Sequence, residues 1–252
     1  NYFSSRNFIN ILVACSLMGF VAIGETKLII ANLIDLSAGS VAAFATVFSA
    51  ILVRAGVNPY LSLLLAIGSG CFVGLLNAML INYLKLQPFI ATLAMQMMTK
   101  GLSLVVSGIK PVYFTAEPGY QAIALGSFLG IDGFYNAFAL FILGIAIAYI
   151  LYSRTLFGRY TQAIGSNEEA ARLSGINTDR WKILVYMVSG LFSAFAGLIM
   201  SSRLGSAQPQ LGAEVFRSGG VVQQHRLPAG GARRVEDGPA HARRSPEVRF
   251  AE

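Results

Sequence analysis

The chain has 252 residues, 55% of them apolar and only 12% charged, against about 25% charged in a water-soluble domain. Nineteen Lys plus Arg and twelve Asp plus Glu cannot coat a soluble surface of this size, which places the bulk of the chain in a lipid bilayer and excludes secreted mini-protein and disordered readings. Of the +7 net charge, +3 comes from residues 217–252, where seven Arg face four acids, and the excess in the rest, twelve Lys plus Arg against eight acids, sits mostly in one loop, so nucleic acid is not an expected partner.

Six stretches approach the ~20 apolar residues needed to cross a ~30 Å hydrocarbon core: residues 8–24, 36–53, 60–82, 88–107, 134–153 and 181–202. The expected fold class is all-α, a polytopic transmembrane helical bundle over residues 1–216. Cys15 and Cys71 fall in apolar runs without metal-ligand spacing and read as small buried hydrophobes. Between the first two spans, Glu25, Lys27, Asn32 and Asp35 interrupt an apolar run. Lipid-facing helices bear such groups only at high cost, so residues 25–35 read as a broken or protein-buried stretch.

Asp35 or Ser37 can cap the helix that begins there, presenting a side-chain oxygen to amides otherwise unpaired away from water. An interrupted helix at this depth also exposes Asn32, Asp35, Ser37, Gly39 and Ser40 to a polar solute, an arrangement suited to a translocation path. In the third span Gly68, Gly70 and Gly74, and in the sixth Gly190, Ala194 and Gly197, allow close helix approach. Packing within the chain is the expected use, with dimerisation the alternative. Pro88 begins the fourth helix, since its missing N–H is not needed there. Thr92, Gln96 and Thr99 then either face a hydrophilic path or bond back to their own helix.

The loop 154–182 carries Arg154, Arg159, Arg172, Arg180 and Lys182, the largest basic count of any connection. The positive-inside rule therefore makes it cytoplasmic. Alternation then puts residues 108–133 outside, Lys85 inside, residues 54–59 outside and the residues before Phe8 outside, which suggests an upstream span that is missing. No signal-peptide pattern is visible. Tyr60, Tyr83, Phe134, Tyr135, Tyr149, Tyr152 and Trp181 fall near these boundaries, as interfacial aromatics do. Within the loop, Ser166 and Glu169 fit a capping box, Glu168 and Glu169 occupy the first turn, Arg172 lies towards the last, and Gly175 can end the helix. A short autonomous helix follows, with Ala170, Ala171 and Leu173 as apolar knobs for a groove on another protein.

Past about Phe216 no span or amphipathic period survives. The Arg/Gly/Pro/Ala-rich residues 217–252 read as a frameshifted or disordered tail, with a basic segment held to anionic lipid as the rival. Phosphate-loop, His/Cys ligand and G-x-S-x-G patterns are all absent from the sequence, so an enzyme acting alone is not expected.

Three runs in order carry a family pattern: Ile34-Asp35-Leu36-Ser37-Ala38-Gly39-Ser40; Gln87-Pro88-Phe89-Ile90-Ala91-Thr92-Leu93; and Phe157-Gly158-Arg159-Tyr160 leading through Ala163 and Ile164 to Gly165-Ser166-Asn167-Glu168-Glu169-Ala170-Ala171-Arg172-Leu173-Ser174-Gly175-Ile176. From about Tyr2 to Gly212 the chain resembles the permease subunits of bacterial ABC sugar importers of the ribose/xylose/galactoside group. The resemblance implies a multi-pass protein of the bacterial inner membrane, paired with a second permease subunit. It also implies a cytoplasmic ATP-binding subunit and a periplasmic sugar-binding protein as partners. Residues 166–176 would be the helix that couples to the ATPase, with Gly165 leading into it. The stretch from Asp35 through Ser37 and Gly39 to Ser40 would lie beside the path, to which the residues themselves add Asn32, Thr92 and Gln96. The chain itself would bind no cofactor and no metal, ATP and Mg residing on the partner. The pattern departs at Asn32-Leu33, where the family usually has two glycines, at Glu25 and Lys27, where it is usually apolar, and beyond Gly212, where spans are replaced by the tail. The expected function is ATP-driven import of a monosaccharide or polyol. The rivals are a branched-chain amino-acid permease, an ion-coupled carrier and an inactive truncated product.

Overall fold

The computed structural model describes residues 5–113, Tyr120, Gly126 and residues 136–209, with side chains from Ile11 onward except Val13. The tail 217–252, Phe134, Tyr135 and most of the connection 108–133 lie outside the described residues. Among these, the chain forms eight helices and one strand pair: α1 (Ser5–Ile30), α2 (Ala38–Arg54), α3 (Pro59–Asn82), α4 (Pro88–Ser107), β1 (Val112–Tyr113), α5 (Asn136–Ser153), α6 (Leu156–Ser166), α7 (Glu168–Leu173), α8 (Thr178–Leu204) and β2 (Ser206–Ala207). The helices α3, α4, α5 and α8 are each long and apolar enough to cross a membrane. The fold class is thus a helical transmembrane bundle, as expected.

Local chemistry fixes the boundaries. Asn58 Oδ1 accepts the Tyr60 amide with Pro59 at the first position of α3, and Pro88 opens α4. Gly108 and Gly205, both left-handed, close α4 and α8. α2 has only 17 residues, about 25 Å at 1.5 Å per residue, less than a ~30 Å hydrocarbon core.

The core is organised around α8, which packs against α1, α2 and α3, while α4 lies on α2 and α5 on α1. α8 is mostly buried and α5 mostly exposed, as a central and a peripheral helix of a bundle should be. The α3–α8 seam is nearly backbone on backbone. A Cβ at Gly70 would stand 2.5 Å from both Gly190 O and Ala194 Cβ, and one at Gly74 would overlap Tyr186 O. These glycines therefore serve packing within the chain, and Gly197 does the same against Ala42 of α2. Gly68 is different: nothing lies within 4 Å of its added Cβ.

The ends agree with an alternating topology. β1 follows α4 and β2 follows α8, and they pair antiparallel with Val112 opposite Ala207, so the exits of α4 and α8 share one end. At the other end α6 abuts the C-terminus of α1, where a Cβ on Gly165 would overlap Ile30 O, and Asn82 Nδ2 donates to Asp179 O at 2.8 Å.

Of the two readings of residues 25–35, broken or protein-buried, the second holds up to Ile30, because α1 continues that far. Ser189 Oγ donates to Glu25 Oε1 at 3.3 Å and the Lys27 ammonium lies 4.8 Å over the Tyr152 ring, so both charged groups are accommodated inside protein. Two other expectations require correction. Tyr152, expected at the water boundary, turns its hydroxyl into the protein, donating to Ile23 O at 2.8 Å. Cys15 is exposed and Cys71 half-buried, both free, which an apolar thiol on a lipid-facing helix tolerates without protein cover.

Candidate functional site

The break between α1 and α2 is confined to residues 31–37. Asn32, at φ 58°, ends α1 in a Schellman pattern: its amide donates to Ile29 O at 3.0 Å and that of Leu33 to Leu28 O at 2.8 Å. Tyr186 OH, on α8, donates to Ile34 O at 3.1 Å. Asp35 is buried, and its Oδ1 accepts both the Ser37 amide at 2.7 Å and the Ser37 hydroxyl at 2.6 Å. Of the two residues expected to cap α2, only Asp35 turns an oxygen onto an unpaired amide, that of Ser37 at the cap position. Ser37 occupies the cap position with helical dihedrals and makes no capping bond, its hydroxyl being spent on the carboxylate in an Asx-type turn.

The network extends into α3 and α4. Asn77 Nδ2 donates to Ser37 Oγ at 2.8 Å, and the Ser40 and Thr99 hydroxyls lie 2.6 Å apart. Asn77 is fully buried, and its Oδ1 has no partner among the described residues. Helical rise places this elbow inside the bundle: Tyr186 lies seven residues along α8 from Asp179, and Asn77 five residues along α3 from Asn82, depths of about 7–10 Å from the level of the Asn82–Asp179 bond. A carboxylate, a carboxamide and three hydroxyls therefore converge in an otherwise apolar bundle, groups that exchange hydrogen bonds with a polar solute.

Of the residues expected on a path, the structure brings Asp35, Ser37 and Ser40 into one network, with Thr99. Asn32 is exposed at the turn, and Gly39 is buried at the start of α2. Thr92 is buried and bonds back to Pro88 O at 2.8 Å, and Gln96 is half-buried; neither joins the network. Asn77, Tyr186 and the Glu25–Ser189 pair were not anticipated. A lone amide in the apolar run of α3 was the available signal for the first.

The second element lies at the basic end. α6 and α7 meet at Asn167, whose Oδ1 accepts the Ala170 amide at 2.9 Å. The cap is therefore Asn167, not Ser166, which belongs to α6 and donates to Gln162 O at 3.0 Å. Gly175, at φ 84°, ends α7 through bonds from its own amide to Arg172 O and from Ile176 to Ala171 O, a second Schellman stop. Glu169, Ala170, Arg172, Leu173, Ser174 and Gly175 are exposed, Leu173 at 85%. Ala171 is buried against the chain, so the knobs presented outward are Ala170 and Leu173.

Glu168 ties this helix down. Its Oε1 accepts Lys182 Nζ at 2.6 Å and Arg172 at 3.2 Å, and Arg172 also reaches Asp179 at 3.8 Å. Burial pushes the Glu168 carboxyl up, but the Lys182 hydrogen bond and the charges of Lys182 and Arg172 outweigh it and hold the group below the ordinary carboxylate value.

A multi-pass helical membrane protein with an interrupted helix inside the bundle and a capped helix at its basic end is the class this architecture defines. The chain belongs to the family described as the branched-chain amino acid transport system permease component, whose model matches residues 7–218. It is 38% identical over 213 residues to the ribose import permease protein of Bacillus subtilis, covering 84% of this chain and 65% of that one. To the ribose import permease protein of Escherichia coli it is 35% identical over 217 residues, covering 84% and 66%. Against the galactose/methyl galactoside import permease protein of Escherichia coli the figures are 32% over 234 residues, 84% and 67%. The matched region thus spans about two thirds of the length of these relatives. No solved structure matches the chain.

Proposed function

We propose that this chain is the membrane-spanning subunit of an ATP-binding cassette importer of the bacterial inner membrane, carrying a monosaccharide such as a pentose or hexose. A polar solute passes the elbow formed by Asp35, Ser37, Ser40 and Asn77. ATP and Mg are held by a separate cytoplasmic subunit that receives α7, a second permease subunit completes the pore, and a periplasmic binding protein delivers the sugar. Thr92, Gln96, Gly39 and Asn32 belong to the same path in this reading.

The observation that carries the proposal is the pairing of two devices in one chain. One is a hydrogen-bonding elbow inside the bundle, where a polar group without use is expensive. The other is a capped helix with exposed Ala170 and Leu173 at the basic end. The ribose and galactoside permeases among the relatives support sugar over amino acid as cargo. The test is ATP-dependent uptake of labelled ribose, galactose and leucine into proteoliposomes holding the full-length protein with its ATPase and binding protein. Sugar uptake is expected; leucine uptake without sugar uptake refutes the assignment.

A further inference from the structure

Three polar side chains in the first half of α8 reach three different parts of the molecule. Lys182 donates to Glu168 of α7 at 2.6 Å, Tyr186 to Ile34 O of the elbow at 3.1 Å, and Ser189 to Glu25 of α1 at 3.3 Å. Their spacing of four and then three residues puts them on one face of the helix. Lys182 is only 13% exposed in its side chain, Tyr186 and Ser189 are fully buried, and the helix between them is regular. Along the flank of the same face, Tyr186 O and Gly190 press against Gly74 and Gly70 of α3 without intervening side chains, so the segment is also seated directly on α3.

We propose that Lys182 and Tyr186 are positioning residues that join α7 to the elbow through α8, so that a displacement of α7 reaches the Asp35–Ser37 network as a movement of Ile34. This rests on the importer reading above. Separately, each contact only satisfies a buried or half-buried polar group. Aligned on one rigid helix, they make a direct mechanical link between the two devices that the proposed function requires to communicate. A helix transmits displacement along its axis because its backbone bonds are already made, and the two joints, at Glu168 and at Ile34, are each a hydrogen bond that a single atom or charge removes.

The test uses the complete transporter. Lys182→Met and Tyr186→Phe, the second deleting one oxygen, are expected to leave ATP hydrolysis within about twofold while the sugar moved per ATP falls about fivefold, the scale of one lost hydrogen bond in a coupling equilibrium. Lys182→Arg, which keeps the charge, is expected to retain coupling. A purely structural role predicts instead that hydrolysis, uptake and melting temperature fall together; that result, or unchanged sugar per ATP in both variants, overturns the proposal. A second measurement is independent of transport. Deuterium exchange in the purified protein is expected to rise at the amides of residues 170–176 in Lys182→Glu and to return in the charge-reversed pair Glu168→Lys with Lys182→Glu, and to rise at residues 33–37 in Tyr186→Phe. Unchanged exchange at both places overturns the link. Absence of ATP-driven sugar uptake by the wild type refutes the importer reading alone, and the exchange data still decide whether the joints exist.

Discussion

Replacing Gly70 by Ala tests whether the α3–α8 seam holds the bundle together. The new methyl would stand 2.5 Å from Gly190 O and from Ala194 Cβ, against about 3.5–4.0 Å for relaxed carbon contacts, so the two helices must separate by roughly 1 Å at this level. Neither neighbour can yield: one is a backbone carbonyl in mid-helix, the other a Cβ with no rotamer to change. Overpacking of this kind costs about 1–3 kcal/mol, and the seam continues at Gly74 and Gly190, whose contacts the separation would also loosen. At about 2–4 °C per kcal/mol for a chain of this size, the apparent melting temperature in detergent should fall by roughly 2–12 °C. Gly68→Ala is the internal control, because nothing lies within 4 Å of its added Cβ. There the better helix propensity of Ala, worth up to about 1 kcal/mol, should leave stability unchanged or raised. If Gly70→Ala melts at or above the wild type, or if both substitutions lower the melting temperature equally, the seam is not packed as described.

Gly175→Ala forces a side chain onto a φ of 84°, a cost of about 1–2 kcal/mol; deuterium exchange at residues 170–174 should rise about tenfold, and no change would contradict the stop described for α7. Asn167→Ala removes the α7 cap and should loosen the same amides by about 1 kcal/mol, whereas Ser166→Ala should not. Because the folded Glu168 carboxyl titrates below its ordinary value of 4.5, the ion pairs it anchors are fully present above that pH and are lost as the pH falls through the lower folded value. Emission from Trp181, the single tryptophan, next to Lys182 and edge-on to Tyr160 at 5.0 Å, should therefore be flat down to about pH 5 and change only below 4.5. A midpoint above 4.5, or an unaltered transition in Glu168→Gln, would contradict the assignment. Asp35→Ala removes the acceptor of both Ser37 bonds and should abolish sugar uptake while the protein still inserts; full uptake would remove Asp35 from the path.

Four of the six expected spans were legible because hydropathy over about 20 residues is set by the solvent, and Pro88 and Gly175 punctuate helices by their own covalent geometry. The site was legible only in part. Asp35 and Ser37 announce themselves as polar groups in an apolar run, but which of them turns its oxygen onto the amides at the start of α2 depends on dihedrals that the sequence does not carry; Asp35 accepts the Ser37 amide, and Ser37 spends its hydroxyl on Asp35. For Glu25 and Lys27 the sequence left a break and burial in protein both open, because their partners, Ser189 and Tyr152, are more than a hundred residues away. Ser166 and Asn167 are both good caps, and the choice between them was made by α6, which claims Ser166 for its own last turn. For Thr92 the sequence left open whether the hydroxyl bonds back to its own helix, which it does, at Pro88 O.

The small antiparallel pairing of Val112–Tyr113 with Ser206–Ala207 has a consequence for how such a bundle can open. It acts as a latch across the far face, fastening the chain that leaves α4 to the chain that leaves α8. With those two exits hitched, splaying α4 from α8 at that face costs the pairing first, so a tilt between them is favoured to widen toward the opposite, basic face, where the elbow lies.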